Sequence, residues 1–149
     1  MYGSLSSLYG GRGIALARGE GGHVFDTNGR EYVDCFNGHG ATLFGHAVPE
    51  LCEAVMESAK GVWSCGAGVE SSVREELAEL LSELIGGDGR VFLTNSGTEA
   101  IEAALKLAAV LRPGRGRLLA CRRSFHGRTC GALAVTFNPK YRAPFVSKT

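Results

Sequence analysis

The chain has 149 residues, the size of one ordinary globular domain, and its 16 basic and 15 acidic side chains leave a formal net charge of +1. With 44% apolar and 21% charged residues, the composition fits a folded protein and argues against a general polyanion binder. Glycine is the outlier at 22 residues, roughly twice the usual ~7%; it has no three-residue period, which excludes collagen-like and low-complexity readings.

In chain order, residues 23–36 (HVFDTNGREYVDCF) predict a β-hairpin, because Asn28-Gly29 can supply two positive-φ turn positions between β-forming flanks. The following NGHGATLFGHAVPE is read as a shaped loop, after which Pro49 opens a helix of about twelve residues that Lys60-Gly61 closes. Ser72 and Glu75 have capping-box spacing, and Val73, Leu77, Leu80, Leu81 and Leu84 form one helical stripe ending at Gly86-Gly87. RVFLTN (90–95) predicts a strand, SGTEA (96–100) opens a helix to about Leu111, and RLLAC (117–121) predicts a second strand. Strand, helix and strand in that order make a βαβ unit with a parallel sheet, hence an α/β fold. The middle helix is apolar on nearly every face and predicts burial in a larger body.

Charge is divided along the chain. Residues 1–102 hold all 15 acids and 6 bases, a net of −9, and residues 103–149 hold 10 bases and no acid. Such a split predicts a local anion site or a complementary region outside these residues. No signal peptide is visible at the start and no apolar run approaches 18 residues, so neither secretion nor a membrane span is expected. Five cysteines without CxxC spacing and four histidines without HExxH pairing predict no metal and no disulfide framework, and fit a reducing cytoplasm.

Two loops carry the chemistry. The free amides at the start of a helix after Thr94-Asn95-Ser96-Gly97-Thr98-Glu99 suit a phosphate, with Gly97 allowing close approach and Ser96 and Thr98 adding hydroxyls. The plainer alternative is an N-cap in which Ser96 and Glu99 form a capping box. Neither GxxxxGK[ST] nor GxGxxG is present, which argues against a nucleoside triphosphate or a dinucleotide. Ser124-Phe125-His126-Gly127-Arg128-Thr129 follows the second strand, and loops at strand C-termini share one crevice in open α/β sheets. There Phe125 could face an aromatic ring and Arg128 could fork onto a carboxylate; singly, each residue type is more often core or solvated surface.

Together the strings GREYVDCFNGHGATLFGHAVPELCEAV, LTNSGTEAIEAALKLA and SFHGRTCGALAVTFNPKYRAPF resemble the class III pyridoxal-phosphate-dependent aminotransferases of the acetylornithine type, over about Gly13 to Phe145. GHG…GH and FNPKYRAPF are most similar to a branch acting on lysine or ornithine intermediates linked to an amino-group carrier protein, LysW. The resemblance implies the N-terminal part of a fold type I transferase, with 1–50 belonging to the small domain and 51–149 to the incomplete large cofactor domain. It implies pyridoxal 5′-phosphate as cofactor, Gly97 and Thr98 on its phosphate, Phe125 stacked on its ring and Arg128 on the substrate carboxylate. It also implies a cytoplasmic homodimer taking a small-molecule or carrier-linked amino acid, with no nucleic acid and no membrane as partner.

In that family the cofactor forms a Schiff base with a downstream lysine, and a downstream aspartate pairs with its ring nitrogen. The lysines here are Lys60, Lys106, Lys140 and Lys148, none in the expected context. The catalytic lysine is therefore expected to be absent, and the chain to be an N-terminal fragment that is inactive and folds poorly alone. The expected reaction of the complete enzyme passes an amino group between glutamate and the semialdehyde of an acetylated or carrier-linked ornithine or lysine precursor. Alternatives are a γ-aminobutyrate-type transaminase, a glutamate-semialdehyde aminomutase, or, from another class, a basic module binding nucleic acid through residues 103–149.

Overall fold

A computed structural model describes residues 11–66 and 68–145; Lys148 and the first ten residues lie outside this range. The chain divides into two compact units, one ending at Glu70 and the other beginning at Ser71.

The first unit is built on an antiparallel sheet of β1 (Leu16–Glu20), β2 (His23–Asp26) and β3 (Glu31–Val33), in the order β1-β2-β3. The hairpin forms where Asn28-Gly29 predicts it, but with a different turn. Of those two residues only Gly29 has positive φ, +81°, and the Asp26 amide donates to the Arg30 carbonyl at 3.0 Å across a three-residue loop. One left-handed residue is what a three-residue hairpin loop requires, so the two-residue mirror-image turn is not used. Asp26 fixes this geometry, its Oδ1 accepting from the amides of Asn28 and Arg30 at 2.9 Å each and its Oδ2 from the Tyr32 hydroxyl at 3.0 Å. Strand β1 was not predicted; its apolar residues Leu16 and Ala17 are adjacent and give no alternation, and it pairs with β2 through a bulge between Leu16 and Arg18.

The predicted shaped loop is a cluster of left-handed residues. The four-residue turn α1 (Asn37–Gly40) is not a regular helix, since Asn37, Gly38 and His39 all have positive φ. Asp34 holds it: Oδ1 accepts from the amides of Phe36 and Asn37, and Oδ2 lies 2.8 Å from His46 Nε2. His46 in turn exchanges both backbone hydrogen bonds with Gly21, returning the loop to the sheet. Helix α2 (Pro49–Ser58) starts at its proline, with extended Val48 before it.

The second unit opens with α3 (Ser72–Leu84). Its N-cap is Ser71 rather than Ser72, and no side-chain cap forms, so the capping box does not exist here. Its C-terminus follows prediction: the Gly87 amide reaches the Ser82 carbonyl at 2.8 Å and the Gly86 amide the Glu83 carbonyl at 3.1 Å, a Schellman arrangement made possible by the positive φ of Gly86. Next come α4 (Gly97–Leu111), α5 (Cys130–Ala134) and the single turn α6 (Pro139–Arg142).

One expectation is corrected. Residues 90–95 and 117–121 are not strands among the described residues, and the parallel pair of a βαβ unit is not formed. A strand exists only through its ladder, and neither segment finds a partner. Leu107, Val110 and Leu111 of α4 are largely exposed within these residues, as is the α3 stripe at Val73 and Leu84, which leaves the apolar surface that a larger body would cover. The described residues bury few side chains, chiefly Val24 in the first unit and Ala132, Leu133 and Thr136 in the second.

Candidate functional site

The second unit holds a cleft of about 490 Å³, lined by Ser96, Gly97, Thr98, Ile101, Phe125, His126, Gly127 and Arg128. All four residues singled out from the sequence, Gly97, Thr98, Phe125 and Arg128, meet there.

The floor is the N-terminus of α4. Ser96 is its N-cap, and its Oγ accepts from the Glu99 amide at 3.3 Å. The Glu99 carboxylate accepts from the Asn95 amide at 2.8 Å, one residue further back than a standard capping box. The Ala100 amide bonds to the Ser96 carbonyl. The capping reading is therefore correct, yet it consumes only the later amides. Those of Gly97 and Thr98 meet no protein acceptor among the described residues, and a Cβ added at Gly97 would enter open space. Two N–H groups are thus left unused at the positive end of a fifteen-residue helix, the kind of position that suits an anion.

The other side is the loop after 117–121. Arg123 takes a left-handed φ of +65°, and Ser124 caps this turn through Oγ to the Cys121 carbonyl at 2.6 Å. Thr136, 1% exposed, organises the rest of the loop: its Oγ1 accepts from the His126 amide at 3.0 Å and lies within 3.1 Å of the carbonyls of Gly127 and Ala132. The Phe125 ring is left 59% exposed at the cleft, and the Arg128 guanidinium sits 5.9 Å from its centroid and 5.5 Å from that of Tyr141. Two aromatic rings within about 6 Å attract the cation electrostatically.

Thr98 does not present its hydroxyl as the sequence suggested. Its Oγ1 lies 3.0 Å from Thr129 Oγ1, and Thr129 donates to Glu102 Oε1 at 2.6 Å. Thr129 has one proton, given to the carboxylate, so the Thr98 hydroxyl donates to Thr129 and only the amides stay open. Glu102 also accepts from the amides of Gly131 and Ala132, and these bonds, led by that from Thr129, hold its carboxyl below its ordinary value. Sequence reasoning missed Glu102, Thr129 and Thr136. Glu102 had a signal, as a second acid inside an otherwise apolar helix.

Neither described lysine of the second unit lines the cleft, and Lys60 belongs to the first unit. Lys60 pairs with Glu57 at 2.6 Å, Lys106 borders an apolar groove beside Phe92 and Leu107, and Lys140 is in α6.

A helix N-terminus with open amides, an exposed aromatic residue and a guanidinium thus meet in one cleft of an α/β fragment. The overall fold is that of the N-terminal part of a fold type I pyridoxal-phosphate transferase. The taurine:2-oxoglutarate aminotransferase of Bifidobacterium kashiwanohense, solved in complex with PLP and glutamate, superposes with a TM-score of 0.87 at 27% identity, over 96% of this chain and 33% of that one.

Residues 9–149 match the Aminotransferase class-III family, and the chain belongs to it. It is 44% identical over 144 residues to the [LysW]-aminoadipate semialdehyde transaminase of Deinococcus radiodurans, covering 94% of this chain and 33% of that protein. It is 39% identical to the acetylornithine aminotransferase of Methanosarcina acetivorans, covering 93% and 34% respectively. The chain thus spans about a third of the length of the curated relatives it matches. The cofactor of this family is pyridoxal phosphate.

Proposed function

We propose that the chain supplies the phosphate-binding and ring-stacking part of an aminotransferase that moves an amino group between glutamate and the ω-semialdehyde of an acetylated or carrier-protein-linked ornithine or lysine precursor. The observation that carries this reading is the pair of unused amides at Gly97 and Thr98, facing the same cleft as Phe125 and Arg128.

The residues present fit pyridoxal phosphate. The two amides form a cradle that suits a phosphate dianion, because its donors are fixed by the helix and lie at the positive end of the dipole. The Phe125 face, exposed toward the cleft, suits the pyridine ring. Arg128, in cation–π range of Phe125 and of Tyr141, would fork onto an amino-acid carboxylate. When bound, pyridoxal phosphate supplies an electron sink for the carbanion formed by removing the substrate α-proton or its ω counterpart. The chain's own contribution is to bind and orient, which lowers the barrier by fixing the reacting bond relative to the ring. Proton transfer needs a base at the ring, and no described lysine lines the cleft. That base and the partner of the ring nitrogen belong to sequence outside the described residues in this reading. The named relatives support a biosynthetic substrate, and their two names, one carrier-linked and one acetylated, define the candidates.

The test is ligand titration of the complete enzyme. Pyridoxal phosphate is expected to bind at least about a hundredfold tighter than pyridoxal, since a phosphate in a fixed cradle contributes several charge-assisted hydrogen bonds. Equal affinities would overturn the cradle. Turnover assays with acetylornithine and with the carrier-linked aminoadipate semialdehyde then separate the substrates.

A further inference from the structure

The carboxylate of Glu102 is committed to the loop that faces α4. Oε1 accepts from the Thr129 hydroxyl at 2.6 Å, the Gly131 amide at 2.9 Å and the Ala132 amide at 3.1 Å. Gly131 and Ala132 are the second and third residues of α5, whose own N-cap, Thr129, makes no side-chain cap. An acid on one helix therefore caps another, while Thr129 turns its hydroxyl to the same acid. Because a carboxylate has no proton to give, the bonds run in one direction, from Thr98 to Thr129 to Glu102.

Two glycines let the elements close this far. A Cβ on Gly127 would strike the Thr98 side chain and come within 2.9 Å of Ala132 Cβ, and a Cβ on Gly131 would fall 2.5 Å from Glu102 Oε2. The loop bearing Phe125 and Arg128 is thus pressed onto the first two turns of α4, with Glu102 as the latch. Glu102 itself does not line the cleft.

We propose that Glu102 is a positioning residue, which sets the spacing between the Gly97–Thr98 amide cradle and the Phe125–Arg128 wall. The proposal rests on reading the cleft as the pyridoxal phosphate site. Its consequence is selective. A ligand that needs the cradle alone does not sense the spacing, whereas a ligand spanning cradle and wall does. Inorganic phosphate is the first kind and pyridoxal phosphate the second.

The experiment measures both affinities on the apoenzyme of the complete protein, as wild type, Glu102→Ala and Glu102→Gln. Glu102→Ala is expected to weaken pyridoxal phosphate about tenfold, the order that a misplaced binding group costs, and to leave inorganic phosphate within about twofold. Glu102→Gln keeps one acceptor oxygen and is expected to fall between, about threefold for pyridoxal phosphate, which carries the test if the alanine variant does not fold. Equal losses for both ligands would reduce Glu102 to a structural cap, and unchanged affinities would remove its role altogether; either overturns the proposal. If wild type binds pyridoxal phosphate no more tightly than phosphate, the reading of the cleft fails before Glu102 is at issue.

Discussion

The hairpin of the first unit and the cleft of the second both depend on a carboxylate that gathers donors, but over different distances along the chain. Asp26 collects the amides of Asn28 and Arg30 and the hydroxyl of Tyr32, all within six residues. Glu102 collects the Thr129 hydroxyl and the amides of Gly131 and Ala132, which lie 27 to 30 residues away. A short-range carboxylate closes a turn at small entropic cost and specifies it locally, whereas a long-range one acts only after α4 and α5 have packed. The hairpin is accordingly a self-contained element. The cleft is a tertiary product whose parts are held in place by each other.

The most severe test of the long-range side is Gly127→Ala. The residue has φ +138° and no room toward Thr98, so strain and overpacking together should cost roughly 3 kcal/mol and lift the loop from α4. Thermal unfolding should show the destabilisation, and cofactor titration should show loss of tight binding. A variant that keeps wild-type affinity would mean that the loop does not rest on α4.

Acid should weaken both regions together. Asp26 is held below its ordinary value first by the Arg30 amide, Asp34 first by the His46 hydrogen bond, and Glu102 first by the Thr129 hydroxyl. A carboxyl with a lowered folded-state value stabilises the fold at any pH above its unfolded-state value, and that contribution disappears as pH falls through the folded-state value. Protection factors, that is, exchange relative to the unfolded chain at the same pH, should therefore be steady at Asn28, Arg30, Gly131 and Ala132 from neutrality down to about pH 5 and fall below about pH 4. Loss of protection at Gly131 and Ala132 already at pH 6 would contradict the assignment of their acceptor.

Gly29→Ala separates the two regions. Its φ of +81° makes any Cβ unfavourable by about 1 kcal/mol, and the penalty should appear as faster exchange in β2 and β3 alone. Cofactor affinity should not change. A parallel loss of affinity would show that the hairpin and the cleft are coupled.

The same contrast explains what could be read from the sequence. The hairpin, the Pro49 helix start, the Gly86-Gly87 stop and the Ser96 cap are short-range devices, each written in two to five adjacent residues. The two open amides were legible too, because a helix that begins at Gly97-Thr98 has its donors built in. The hydrogen-bond direction through Thr98, Thr129 and Glu102 was not, since it joins residues about thirty apart and depends on which atom has a proton to give. Residues 90–95 and 117–121 were read as strands from their apolar β-formers alone. That signal marks the propensity for a ladder and says nothing of whether a neighbour is present.

The smallest effect is expected at a residue that the sequence placed among the phosphate's donors. In the cleft the Thr98 hydroxyl donates to Thr129, while the backbone amide of Thr98 stays open. Thr98→Val retains the β-branched shape and that amide, and Thr129 keeps its bond to Glu102. Only one neutral, exposed hydrogen bond is lost, worth about 1 kcal/mol or less to stability. Affinity for pyridoxal phosphate should stay within about twofold of wild type, in contrast to the tenfold loss at Glu102, which lies further from the ligand. If titration instead shows Thr98→Val to be the costlier change, the hydroxyl turns to the phosphate on binding. The chain of donors to Glu102 would then describe only the cleft without its ligand.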